Sequence, residues 1–175
     1  MRATPLALPM LFVAASALAQ DGRDAEGYEA RLATASVRLQ ARDFAGAEVV
    51  LRDAVTLDAT RPEAHCALGD ALRGSGDVPG ASAAYAECRT KARGLAQLQL
   101  EGRALLGEVR LRLRSGPREA AQAALDALVR FAEAHPEVFD PAAAGRLAEL
   151  HAARVARLAA HAELRARRAE AAGDR

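Results

Sequence analysis

The chain has 175 residues, about a quarter of them alanine, with no Trp, four Phe and two Tyr. So few aromatics argue against a sheet-rich core, and alanine is the best helix former, so the composition points to an all-α protein of one domain. Lys plus Arg total 24 against 23 Asp plus Glu, a net charge of +1, which gives no field for gathering DNA or RNA, so no nucleic acid partner is expected.

Residues 1–19 read as a signal peptide. Arg2 supplies a short basic start, Leu6 to Ala15 form an apolar run, and Ala17-Leu18-Ala19 is a small-x-small cleavage pattern. The run is too short to span a bilayer, which takes about 20 residues; a membrane-anchored N-terminus is the alternative. Cleavage after Ala19 predicts a periplasmic or secreted protein. Residues 20–27 (QDGRDAEG) are polar and turn-rich, so a flexible segment is expected there.

Helices are expected from Tyr28 to Arg42 and from Ala45 to Leu57, with Thr60-Arg61-Pro62 as the break. Pro62 suits the first turn of a third helix, running to about Arg73. Gly74 to Asp77 turns the chain, and Pro79 to Arg93 follows, with Gly94 expected as a left-handed cap. Leu95, Leu98, Gly102, Leu105, Leu106, Val109 and Leu113 then recur at the spacing of one buried helical face. Ser115-Gly116-Pro117 opens a helix from Arg118 to Ala134, with Ala121, Leu125, Leu128 and Phe131 as its apolar side. Asp140-Pro141 pairs an N-cap with a proline at the first position and starts a long helix to about Ala171.

Two stretches repeat at a spacing of 34 residues: Asp43, Phe44, Ala47, Leu51 and Ala54 recur as Asp77, Val78, Ala81, Tyr85 and Cys88, and Ala35 recurs as Gly69. Such a period marks stacked units that cannot bury their apolar faces alone. Residues 64–88 resemble the tetratricopeptide repeat: Leu68, Gly69 and Leu72 fall on its first helix, Gly76 and Asp77 at its turn, and Ala81, Tyr85 and Cys88 on its second. The copy at residues 28–58 keeps the second helix well, but Thr34 and Arg38 stand where Leu68 and Leu72 do. The third hairpin keeps Leu106-Gly107 and Gly116 with two extra residues between them. The resemblance implies a short right-handed solenoid of about three antiparallel hairpins over residues 28–136, with residues 137–175 as a C-terminal capping helix and tail. A looser helical-hairpin array is the alternative.

The resemblance also implies a concave groove lined by the first helix of each hairpin. Glu29, Ser36, Glu63, Asp70, Arg73, Glu101, Glu108 and Arg112 are its candidate residues, with Arg73 and Arg112 as clamps for a carboxylate or backbone; solvated surface charge is the plainer reading. Cys66 is placed on the groove face and Cys88 on the core stripe, so the expected geometry disfavours a disulfide between them. His65, His135, His151 and His161 show no metal-ligand spacing, and neither a phosphate loop nor a nucleophile elbow occurs, so no metal, cofactor or catalytic site is expected. Arginines on the last helix suit a solvated cap, with weak contact to an anionic membrane as the alternative. Together these features predict a non-catalytic exported adaptor for a protein or peptide partner, or else a structural protein that self-associates as a homo-oligomer.

Overall fold

The computed structural model describes residues 9–173, with side chains described for residues 24–168. Its elements are seven α-helices: α1 (Pro9–Gln40), α2 (Phe44–Leu57), α3 (Pro62–Ser75), α4 (Val78–Gly94), α5 (Leu98–Ser115), α6 (Arg118–Ala134) and α7 (Pro141–Gly173). No strand occurs among the described residues, so the chain is all-α as its composition predicts. The first eight residues of the expected leader lie outside the described ones. Two compact units form, one ending at Leu100 and one beginning at Glu101.

The first unit contains α1 to α4, with α1 packed on α2, α2 on α3, α3 on α4, and α1 also touching α3. Connections of two to four residues separate these helices, and links so short make sequential neighbours antiparallel. Its core is mostly alanine, with Tyr28, Leu51, Leu72 and Tyr85 as the larger groups.

The 34-residue sequence repeat reappears as repeated backbone detail. Asp43 and Asp77 are both N-caps, their carboxylates accepting from the amides of Gly46 and Gly80 at 3.0 Å each. A Cβ on either glycine would collide with that carboxylate. The amides of Asp43 and Asp77 donate back to the carbonyls of Arg38 and Leu72, each at 2.9 Å. The residue before each cap is left-handed: Arg42 at φ 59° and Gly76 at φ 93°. Ala47 and Ala81, Leu51 and Tyr85, and Ala54 and Cys88 are buried pairwise. Arg38 departs from Leu72 because it is exposed and pairs with Asp43 at 2.8 Å, whereas Leu72 lies in the core.

Several expectations are corrected. Residues 20–27 are helical, not a loop: α1 runs through them, and Arg31 Nη1 donates to the Gly27 carbonyl at 3.1 Å across one turn. Gly94 is the last residue of α4 instead of a left-handed cap; Ala96 takes the left-handed turn at φ 54°, and Leu95 leaves the apolar stripe and is exposed. Cys66 and Cys88 form a disulfide, with Cα atoms 5.1 Å apart. The groove placement of Cys66 assumed that α3 buries a single face. Packed by α1, α2 and α4, α3 instead buries Ala64, His65, Cys66, Leu68, Gly69, Ala71 and Leu72, most of its circumference.

The second unit contains α5 from Glu101 onward, α6 and α7. Phe131 packs on Gly102, where a Cβ would come within 2.9 Å of the ring, and Leu105, Val109, Leu125 and Leu128 fill the core. The α7 helix is 33 residues long, about 50 Å at 1.5 Å per residue. Only its first part is covered, by α6; Ala144 is buried, while residues 156–168 are exposed. Among the described residues no helix is long and apolar enough to cross a membrane.

Two predictions follow from the backbone. An Arg42→Gly change relieves a side chain from the left-handed region and raises unfolding free energy by about 0.5–1 kcal/mol, while Gly76→Ala, whose Cβ meets nothing within 4 Å, lowers it by about 1 kcal/mol. Chemical denaturation of the two variants against the parent measures both. Opening the Cys66–Cys88 bridge, by reductant or by a double change to serine, frees a 22-residue separation and should cost about 3 kcal/mol in the same assay.

Candidate functional site

The polar residues predicted to line a groove fall into separate clusters, and in the first unit they are organised by its two tyrosines. Tyr85 projects from α4 against α3, where Gly69 has no Cβ: one added there would lie 2.6 Å from the ring. That approach places the phenol beside Asp70 and Arg73, one and four residues further along α3. The Tyr85 hydroxyl donates to Asp70 Oδ1 at 2.8 Å and accepts from Arg73 Nε at 3.1 Å. Arg73 Nη2 closes the triangle on Asp70 Oδ1 at 3.4 Å. Burial, reinforced by the Asp70 carboxylate, pushes the Tyr85 phenol far above its ordinary range. Asp70 and Arg73 thus brace the contact between α3 and α4 through Tyr85, with about a quarter of each side chain still exposed.

Tyr28 organises the other end. Its hydroxyl accepts the Ala64 amide at 3.0 Å, satisfying one of the open donors in the first turn of α3. Arg61 lies over its ring at 4.1 Å and bonds Glu29 at 2.6 Å, with Glu63 at 3.5 Å. Ala54, Ala64 and the flanking Leu32 and Leu57 bury the ring. Desolvation pushes the Tyr28 phenol up to about 12. Glu29 and Glu63 are therefore partners of Arg61 at the α1–α3 contact. Ser36 is exposed on α1.

In the second unit, Glu101 is buried, 5% exposed, and is not presented to solvent. Glu108 lies 3.9 Å from Arg112, one turn further along α5. The same unit has a recess between α5, α6 and α7, lined by Arg112, Arg118, His151 and Arg154 above Leu113 and Leu158. The sequence reading missed this recess, because its lining comes from three helices that no local pattern brings together. Among the described residues no group of three His, Cys, Asp or Glu side chains is placed to hold a metal ion.

No family model, curated protein or solved structure matches the chain. The residues and their geometry alone carry the functional reading.

The two buried phenols set an alkaline limit. A tyrosine whose folded pKa exceeds its unfolded value of 10 stabilises fully below pH 10 and loses that contribution as pH rises through the folded value. Stability should hold level from pH 8 to 10, then fall by up to about 1.4 kcal/mol per pH unit for each tyrosine. The share of Tyr28 is exhausted near pH 12. Urea unfolding at stepped pH checks this, and Tyr28→Phe should start lower and fall less steeply.

Proposed function

We propose that this chain is an exported helical-repeat protein of the tetratricopeptide kind. In this reading it binds a protein or peptide of the bacterial cell envelope and performs no chemistry itself. The observation that carries the reading is the structural equivalence at 34 residues: two turns with matching caps, matching return hydrogen bonds and matching left-handed residues. A sequence period repeated in backbone hydrogen bonding is what stacked units require. Gly69 and Tyr85, two of the positions that carry the resemblance, pack against each other, and α1 touching α3 fits first helices stacked side by side. The disulfide fits an oxidising compartment and so supports export.

Within this proposal, the binding surface of the first unit is the exposed face of α1 around Glu29 and Ser36: Glu29 pairs with Arg61 but keeps 60% of its side chain exposed, whereas Asp70 and Arg73 are braced by Tyr85 and mostly covered. Self-association is the second reading. Val37, Val49 and Leu150, each 61–66% exposed, are apolar groups that a second copy would cover.

Expression of the full chain in an exporting bacterium tests both parts. The expected product is periplasmic with Gln20 as its first residue; an unprocessed cytoplasmic chain would remove the export reading. Crosslinked capture from the envelope should yield a distinct partner that is lost with Glu29→Arg plus Ser36→Arg. Recovery of the chain alone, as a stable oligomer by light scattering, would favour self-association instead.

A further inference from the structure

We infer that the recess between α5, α6 and α7 binds an amphiphilic anion, an aliphatic chain of modest length ending in a carboxylate or phosphate. The argument rests on charge, covering and size within the second unit, and is independent of how the first unit engages a partner.

Charge is one-sided at the recess. Arg118 from the start of α6 and Arg154 from α7 line it together with His151 and Arg112, and no Asp or Glu does. Arg112 is engaged by Glu108 at 3.9 Å. Among the described residues Arg118 and Arg154 have neither an ion-pair nor a hydrogen-bonded side-chain partner. Two such guanidiniums at one opening repel each other, and an anion between them removes that repulsion while accepting their hydrogen bonds.

Two further groups lack partners there. His151 Nε2 is buried and makes no hydrogen bond, an arrangement that costs free energy until a donor or acceptor arrives. The α6 helix begins after Pro117, which supplies no side-chain cap to the amides of its first turn, the end of a helix that favours negative charge. The amides fit an oxygen-bearing anion, and His151 donates to the same anion in the tautomer that carries its proton on Nε2.

The rest of the wall is aliphatic. Leu113, Val155 and Leu158 form it with Ala121, and Leu158 remains 56% exposed. A small inorganic anion would leave that wall wet. An alkyl tail covers it and gains roughly 25 cal/mol for each Å² removed from water. The recess encloses about 280 Å³, just under the usual range for small-molecule sites, so the tail is short or only partly enclosed. A decanoate-sized ligand matches both halves.

The test is calorimetric titration of the purified full chain with sodium decanoate below its micelle concentration, with amide NMR to place the site. Saturable one-to-one binding with shifts centred on Leu113, Ala121 and Val155 is expected. Arg118→Glu plus Arg154→Glu should weaken it at least tenfold without moving the thermal midpoint, since both side chains are exposed. Leu158→Asp should do the same through the tail. Decanol should bind at least tenfold more weakly than decanoate, and acetate or inorganic phosphate more weakly still. A parallel titration with decyl phosphate separates the two sources of the anion: whichever head binds more tightly is the native class, and either order upholds the site. Absence of saturable binding would overturn the inference. So would equal binding by the double-glutamate variant, equal binding of decanol, or shifts confined to the first unit.

Discussion

The contact between Tyr85 and Gly69 is the constraint on which the first unit depends. A core made mainly of alanine has little area to bury, and at about 25 cal/mol per Å² its small side chains cannot hold four helices by themselves. One large ring seated where a neighbour has no side chain allows α3 and α4 to approach closely enough for the surrounding alanines to touch. The same placement carries a phenol oxygen into the interior, where its hydrogen bonds must be met. Asp70 and Arg73 meet them. A packing decision at one position therefore settles the roles of two charged residues on the adjoining turn of α3.

The helices and their order were legible in the sequence because the breaks are chemically strong. Pro62, Gly76-Asp77, Gly116-Pro117 and Asp140-Pro141 each stop or start a helix by a local backbone rule, and the observed ends lie within one or two residues of those signals. The side-chain clusters were harder to read, for a different reason. A helical wheel assumes one buried side, and that fails for α3, which three helices surround. Cys66 and Glu63 were assigned to an open face on that assumption, but Cys66 is fully buried and Glu63 sits against Arg61. Asp70 and Arg73 look like any exposed i, i+3 ion pair until the partner helix is present. Their link to Tyr85 spans up to fifteen residues, and no local pattern announces it.

The two units differ in how their helices are joined and covered. In the first, the α1–α2 and α3–α4 turns are each closed by an aspartate cap and a left-handed residue, so both helix ends at those turns are satisfied locally. In the second, α6 follows Pro117 with no side-chain cap, and α7 continues well past the point where α6 covers it. Aspartate-capped turns and small buried side chains close the α1–α2 and α3–α4 hairpins of the first unit. Among the described residues, the uncapped start of α6, Arg118 and Arg154 without ion-pair partners, and the exposed Leu150, Leu158 and Leu164 leave the second unit with polar and apolar groups open at its surface.

The disulfide also changes how the chain would bear tension. A pull applied to the two ends reaches Cys66 and Cys88 and crosses between α3 and α4 through a covalent bond, bypassing the backbone between them. With 22 residues of separation, about 70 Å of contour stays withheld from extension at roughly 3.4 Å per residue. The turn at Gly76-Asp77 and the contact between Tyr85 and Gly69 sit inside that sheltered loop. In the oxidised chain, stretching the rest of the backbone thus leaves one hairpin clamped between Cys66 and Cys88.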